Sequence, residues 1–126
     1  MRLLLDTVVL IRAIQAPELL SRRAQHAMDD PANIREVSAI SIVEIAIKAG
    51  IGKLALDPTL VFQGAEDLLA RIVPFGPHHA RRLFTLPQHH RDPFDRQLIA
   101  QALEEDIAII TPDSAFRLYK GLKVIW

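Results

Sequence analysis

The sequence contains no cysteine, which excludes disulfide bonds and thiolate metal sites. Any bound metal must therefore use oxygen or imidazole ligands, and this favours hard cations. No apolar run approaches the roughly 20 residues that a transmembrane helix needs, and Asp6 interrupts the first apolar segment too early for a signal peptide. We therefore expect a cytoplasmic protein that does not enter a membrane.

The sequence also lacks net charge, because 15 basic residues balance 15 acidic ones. This neutrality excludes a protein that binds nucleic acid through an overall positive field. It does not exclude RNA, because acids gathered in one site would leave arginines in excess elsewhere. At 126 residues, half of them hydrophobic, the chain is long enough for a single domain over residues 1–126 and too short for two.

Short apolar segments alternate with amphipathic patterns along the whole chain. The helical patterns between the apolar segments predict an α/β fold, a three-layer α/β/α sandwich around a mostly parallel central sheet. The predicted strands cover residues 3–5, 37–40, 71–75, 107–110 and 123–126. A first helix is predicted to begin at residue 7, and five further helices are predicted over 19–28, 42–49, 58–69, 77–86 and 93–103.

The clearest helix start lies at Asp92. Asp92 is predicted as the N-cap, and Pro93 as the first helical residue, where a missing N–H costs nothing. Asp95 falls at the third helical position, near the positive end of the helix dipole. Apolar residues at helical spacing, Leu98 among them, follow this start and give the helix a face for the core. We therefore expect the acids to lie at the rim of the core.

Three further acids follow predicted strands. Asp6 follows the first strand, Glu44 comes soon after the second, and Asp113 follows the strand at 107–110. Parallel strands bring their carboxyl ends to one edge of a sheet, so we expect these acids to converge with Asp95. Simpler explanations exist, namely helix capping by Asp6, a dipole contribution from Asp95 and turn stabilisation by Asp113.

Glu44 is the acid that structural roles explain least well. It lies inside residues 42–49, a helix that is apolar almost all round and that we expect to be buried. It would complete a capping box with Ser41 or form an ion pair with Lys48 one turn on. A buried carboxylate is nevertheless costly unless a partner compensates it, which favours a functional role.

Acids that converge in this way require a cation. Two carboxylates ~4 Å apart repel each other by roughly 4 kcal/mol at an effective dielectric constant of 20. An all-oxygen cluster, with no imidazole at motif spacing, suits Mg²⁺, with Mn²⁺ as a substitute, and both ions bind phosphate oxygens. The pattern therefore points to metal-dependent hydrolysis of phosphodiester bonds, without a covalent intermediate on the protein.

Basic residues surround the predicted helix start. Arg91 and Arg96 are candidate contacts for RNA phosphates, with ordinary surface charge as the alternative. His89 and His90 are expected to form a solvated pair in a loop, with proton donation or phosphate binding as the alternative.

Four stretches, at residues 3–7, 38–48, 90–102 and 111–116, together resemble PIN-domain proteins, and most closely the VapC-type toxins of bacterial toxin–antitoxin pairs. The resemblance implies a Mg²⁺-dependent endoribonuclease acting on tRNA, rRNA or mRNA. It also implies a homodimer and inhibition by a cognate VapB-type antitoxin, often a DNA-binding repressor. By position, four residues match the family's catalytic, metal-binding tetrad and a fifth matches an extra acid of this subgroup: Asp6, Glu44, Asp95 and Asp113, with Asp92 as the fifth.

Two alternative functions remain at this point. A phosphoacceptor signalling domain is also α/β with acids at strand ends, but it needs an acidic pair after the first strand, where Asp6 stands alone. Lack of labelling by small phosphodonors would exclude it. A non-catalytic binding module would keep only the PIN fold, and unchanged cellular toxicity after Asp6→Ala or Asp95→Ala would favour that reading.

Overall fold

The computed structural model describes residues 1–126 and contains one five-stranded sheet. Its strands are β1 (Arg2–Leu5), β2 (Ile34–Ser38), β3 (Arg71–Val73), β4 (Ala108–Ile110) and β5 (Val124–Ile125). They lie in the order β3-β2-β1-β4-β5, and every neighbouring pair is parallel. The first strand of the chain therefore lies at the centre of the sheet.

Six α-helices connect the strands. They are α1 (Thr7–Gln15), α2 (Arg22–Asp29), α3 (Ala39–Gly50), α4 (Pro58–Asp67), α5 (Pro77–Arg82) and α6 (Pro93–Glu105). Three short 3₁₀ helices cover Pro17–Leu19, Leu83–Thr85 and Ser114–Leu118. None of these helices combines the length and the hydropathy needed to cross a lipid bilayer.

The alternation of side chains along β1 separates two apolar layers. Leu3 and Leu5 pack on one face of the sheet with Val9 of α1 and with residues of α2 and α4. Leu4 points to the other face and packs with Leu98 and its neighbours on α6. Both faces of the sheet are thus covered by helices, which confirms the predicted α/β/α sandwich.

Helix α3 begins earlier than the sequence pattern predicted. Strand β2 ends at Ser38, whose Oγ accepts a 3.1 Å hydrogen bond from the N–H of Ile40 and so caps the helix. The predicted capping box of Ser41 and Glu44 is therefore wrong, because both residues lie inside the helix. Ser41 is instead buried, and its Oγ accepts a 2.9 Å hydrogen bond from the Thr7 hydroxyl.

The expectation that this helix is buried on all sides is also wrong. Only Ser41, Glu44 and Ile45 of α3 are buried, whereas Val43 is 46 % exposed and Ile47 is 49 % exposed. The helix packs against α1 and α6. Its outer apolar face has no counterpart within the chain.

The helix predicted at 19–28 begins only at Arg22. The Ser21 hydroxyl accepts a 3.0 Å hydrogen bond from the N–H of Ala24 and caps α2 at this point. The residues before it form the separate turn at Pro17–Leu19. A local capping interaction thus decides the helix start, although the apolar periodicity begins earlier.

Candidate metal centre

The acids predicted from the sequence meet at the carboxyl edge of the parallel sheet. Asp6 directly follows the central strand β1, and Asp113 comes three residues after the end of β4. Glu44 lies on the second turn of α3, which begins directly after β2, and Asp95 lies on the first turn of α6. The carboxylates of Asp6, Glu44 and Asp113 each raise the pKa of Asp95, so the four groups share one electrostatic environment.

Asp6 forms the buried floor of this centre. Its Oδ2 accepts a 2.6 Å hydrogen bond from the Thr111 hydroxyl, which stabilises the ionised carboxylate. Burial outweighs this bond and, together with the charges of Glu44 and Asp113, raises the pKa of Asp6 to about 6. The same Thr111 Oγ accepts a 3.1 Å hydrogen bond from the Asp113 N–H. One hydroxyl therefore connects Asp6, which follows β1, with Asp113, which follows β4.

Asp95 has the most perturbed carboxyl group in the cluster. Burial is the largest cause, and the neighbouring charges of Asp6 and Asp92 add to it, so that its pKa rises to about 7. Asp92 is the N-cap of α6, as predicted, since its Oδ1 accepts hydrogen bonds from the N–H groups of Phe94 (2.8 Å) and Asp95 (3.3 Å). The helix start therefore holds Asp95 close to other carboxylates in the absence of a compensating cation.

Glu44 carries a buried oxygen that no donor of the chain satisfies. Its Oε2 lies 2.5 Å from the Lys48 Nζ, which confirms the predicted ion pair and raises the pKa of Lys48. Its Oε1 is buried and has no hydrogen-bond partner. Because an unsatisfied buried carboxylate oxygen is costly, this atom indicates a place where a cation fits.

Asp113 is held from two sides. Its Oδ1 accepts a 2.9 Å hydrogen bond from the Ala115 N–H, which confirms the predicted turn-stabilising contact. Its Oδ2 lies 2.9 Å from the Nε2 of His90. The expected solvated histidine pair is therefore wrong for His90, whose side chain is only 8 % exposed, whereas His89 is exposed and contacts Tyr119 edge-on.

The tightest set of ligand atoms in the cluster contains an imidazole. A ring nitrogen of His90 and carboxylate oxygens of Asp95 and Asp113 all lie within 4.8 Å of one another, and the Nε2 of His90 is 2.9 Å from Asp113 Oδ2. The prediction of an all-oxygen cluster therefore left out the imidazole that lies beside these carboxylates. These three groups, with the buried carboxylates of Asp6 and Glu44 beside them, form a donor set that suits a divalent cation.

The two arginines near the start of α6 differ in their surroundings. Arg96 donates from Nη1 to the carbonyl of Pro87 (2.7 Å) and from Nη2 to that of Leu86 (3.2 Å). Its guanidinium thereby holds the loop that precedes the helix. Arg91 is exposed beside Asp92, with its side chain open to solvent.

Sequence reasoning gave Thr111 no role and expected His90 in solvent, with proton donation or phosphate binding as the alternative. A signal for Thr111 was present, because it is a polar residue directly after a buried strand at the edge where Asp6 was expected. His90 lies in a loop whose sequence shows no periodicity, so nothing indicated that its ring would be buried against Asp113. The buried pair of Thr7 and Ser41 was obscured by the assignment of Ser41 to a helix cap.

The comparison with protein families now agrees with this geometry. The family model described as the PIN domain matches residues 3–122. The chain is a PIN-domain protein. This result confirms the resemblance that the four sequence stretches indicated.

Solved structures share the fold of this PIN domain over nearly its whole length. VapBC2 from Rickettsia felis, bound to a DNA fragment from its promoter, matches with a TM-score of 0.73 and 17% identity over 98% of this chain and 97% of that one. DNA-bound VapBC from Salmonella typhimurium matches with a TM-score of 0.70 and 14% identity, over 98% of this chain and 96% of that one. FitAcB from Neisseria gonorrhoeae matches with a TM-score of 0.63 and 21% identity, over 97% of this chain and 95% of that one. No curated protein matches this PIN domain in sequence.

Proposed function

We propose that this PIN domain is a Mg²⁺-dependent endoribonuclease that acts in the cytoplasm as the toxin of a toxin–antitoxin pair. The observation that carries the proposal is the buried, unpartnered Oε1 of Glu44 beside carboxyl groups whose pKa values are raised. Such a cluster is costly by itself and becomes favourable when a cation enters it. The similarity to VapBC structures supports the toxin assignment.

In this proposal Asp6, Glu44, Asp95 and Asp113 hold the ion, with Mn²⁺ able to replace Mg²⁺. The bound ion supplies Lewis-acid stabilisation of the phosphodiester and activation of the attacking water. The chain supplies orientation, because the Thr111 hydroxyl fixes Asp6 and the Ala115 N–H fixes Asp113. No side chain needs to form a covalent bond with the substrate.

The residues around the ion have secondary roles in the proposal. Asp92 adds negative charge beside Asp95 and caps α6. Arg91 is exposed next to Asp92 in the sequence and is the proposed contact for a phosphate of the RNA. The carbonyl contacts of Arg96 favour a role in holding the loop before α6, with any phosphate contact made by its remaining N–H groups.

The decisive experiment is RNA cleavage by the purified chain, free of antitoxin. We expect cleavage with Mg²⁺ or Mn²⁺, none with EDTA, and a loss of at least about 100-fold in Asp95→Asn, because this change removes a charged ligand. Asp29→Asn is the matched control, since Asp29 is exposed at the end of α2. Intact RNA with either ion, or equal cleavage by wild type and Asp95→Asn, would exclude the proposal.

The proposal includes a VapB-type antitoxin as partner, and a groove between α3 and α4 supports it. The groove is lined by seven hydrophobic residues and one proline, so its walls are almost entirely apolar: Ile42, Ile45, Ala46, Ala49, Leu56, Pro58, Val61 and Phe62. An apolar segment of a partner would bury these walls. We place the antitoxin segment there.

Phe62→Glu tests the antitoxin groove. The Phe62 side chain is half-exposed, so the variant should fold, but a charge in the groove should weaken antitoxin binding by at least about tenfold. RNA cleavage by the isolated toxin should stay unchanged. Phe84→Glu serves as the control, because Phe84 is exposed elsewhere on the surface. Equal antitoxin affinity of wild type and Phe62→Glu would contradict this placement.

A homodimer is the last part of the proposal. Val43 and Ile47 lie four residues apart on the outer face of α3, and Ile51 directly follows the helix as its C-cap; all three are exposed. Burial of this stripe against a second copy would remove apolar surface from water. Light scattering should give a dimer mass for wild type and a monomer mass for Ile47→Glu, and a monomeric wild-type chain would contradict the assignment.

A further inference from the structure

His90 is a loop residue whose ring is nevertheless fixed on all sides. Its plane stacks on Tyr119, with ring centroids 5.5 Å apart and an interplanar angle of 24°, and its face meets Phe116 edge-on at 4.9 Å. Its Nδ1 lies 3.0 Å from the Tyr119 hydroxyl, and its Nε2 lies 2.9 Å from Asp113 Oδ2. The imidazole is therefore aimed at the acidic cluster before any ion binds.

The distances around this imidazole match those of neighbouring metal ligands. Two adjacent ligands of an octahedral ion, each at about 2.1 Å, lie about 3 Å apart. The separation of His90 Nε2 and Asp113 Oδ2 is 2.9 Å, and one ligand atom from each of His90, Asp95 and Asp113 lies within 4.8 Å of the other two. This spacing is short enough for the three side chains to share a single ion.

We propose that His90 Nε2 is itself a ligand of the ion, together with Asp95 and Asp113, so that the centre prefers Mn²⁺ to Mg²⁺. The inference rests on the proposed function for the existence of an ion in this centre. Imidazole nitrogen is a poor ligand for Mg²⁺ and a better one for transition metals such as Mn²⁺. Without an ion, the Nε2–H donates to the Asp113 carboxylate, which can only accept, and the Tyr119 hydroxyl donates to Nδ1. An ion at Nε2 would take the place of that proton. The other tautomer, with its Nδ1–H donating to the Tyr119 oxygen, would then support His90 as a ligand.

Pulsed electron paramagnetic resonance of the full chain with bound Mn²⁺ tests this assignment directly. We expect modulation from a directly coordinated ¹⁴N nucleus in wild type, replaced by ¹⁵N modulation when only the histidines carry the label. His89→Ala should keep the nitrogen signal and His90→Ala should lose it. The wild-type spectrum decides the question without a variant, so misfolding of His90→Ala does not affect the test.

Calorimetric titration of both ions gives a second measurement. In His90→Ala the Kd for Mn²⁺ should rise at least about tenfold, whereas the Kd for Mg²⁺ should change by about threefold or less. Tyr119→Phe keeps the stacked ring and should weaken Mn²⁺ binding by a smaller factor. Bound Mn²⁺ without nitrogen modulation in wild type, or equal Mn²⁺ affinities of wild type and His90→Ala, would overturn the assignment.

The outcomes separate this inference from the proposed function. A nitrogen signal from an ion-loaded chain that leaves RNA intact would support His90 as a ligand and would exclude the proposed nuclease activity. Metal-dependent RNA cleavage without a nitrogen signal would support the nuclease activity and exclude His90 as a ligand. A chain that binds neither ion would overturn both.

Discussion

Asp95 shows how a single side chain couples the proposed activity to stability. Its pKa of about 7 and that of Asp6, about 6, lie well above the value near 4 that both groups have in an unfolded chain. Between these values the folded state retains protons that the unfolded state has already released. The contribution of these two groups to the free energy of unfolding of the metal-free protein therefore falls as the pH rises from about 4 to about 7.

Removal of the Asp95 charge should reverse part of this loss. In EDTA at pH 8 we expect Asp95→Asn to raise the free energy of unfolding by about 1–3 kcal/mol, which is less than the full pKa shift implies because solvent screens this partly exposed group. At pH 3 the change should be small, since the group is then largely neutral in both states. Urea denaturation at the two pH values provides the measurement. A variant less stable than wild type at pH 8 would contradict this account.

Thr111 connects two acids through one hydroxyl. Thr111→Val keeps the volume but leaves the Asp113 N–H without its acceptor and the Asp6 carboxylate without its donor. We expect a loss of about 1–3 kcal/mol in the free energy of unfolding and about 10–100-fold in Mn²⁺ affinity.

Thr59→Val is the matched control for this change, because Thr59 is exposed on the first turn of α4. The control should alter the free energy of unfolding by at most about 0.5 kcal/mol. Equal effects of the two substitutions would show that the Thr111 hydroxyl has no special role.

At the scale of the elements, Gly64 permits the close approach of α1 and α4. A Cβ atom added at Gly64 would lie 2.5 Å from Ile14 Cγ1 and 2.6 Å from Ile14 Cδ1. Gly64→Ala should therefore destabilise the fold by about 1–3 kcal/mol, despite the higher helix propensity of alanine. Gly50→Ala, where a Cβ meets nothing within 4 Å, should be neutral or stabilising by up to about 1 kcal/mol. Thermal unfolding of both variants tests the difference.

The elements themselves were largely predictable from the sequence, and the errors have local causes. Buried strands such as β4 have continuous apolar runs, and α6 has an unambiguous cap at Asp92. The start of α3 was misplaced because Ser38 and Ser41 are both good caps, and only the fold shows that Ser41 is engaged by Thr7. Its exposed face was misjudged because an apolar pattern does not distinguish a core from a partner surface.

The centre was predictable in its acids and not in its other groups. Glu44 was conspicuous as a carboxylate in an apolar helix, and topology then placed it near Asp6. His90 depends on a loop that packs against Tyr119 and Phe116, contacts that no local pattern encodes. The imidazole of His90 is therefore the part of the centre that the sequence pattern described least well.

At the scale of the whole molecule, ion binding should stabilise the fold, because a centre of this kind exists only in the folded state. At an ion concentration of 100 times the Kd, the expected gain is about 2.7 kcal/mol. Millimolar Mn²⁺ should raise the melting temperature of wild type and of Asp29→Asn by several degrees. Asp6→Asn should respond much less. Equal shifts for wild type and Asp6→Asn would indicate binding elsewhere.

Strand β1 lies at the centre of the sheet, between β2 and β4, and precedes both of them in the sequence. Thr111, whose hydroxyl holds Asp6, is 105 residues further along the chain. Contacts this distant in sequence form late in folding. A nascent polypeptide therefore cannot complete its acidic pocket before Thr111 has left the ribosome. Under the proposed function, the growing chain would be inactive toward its own message until that point.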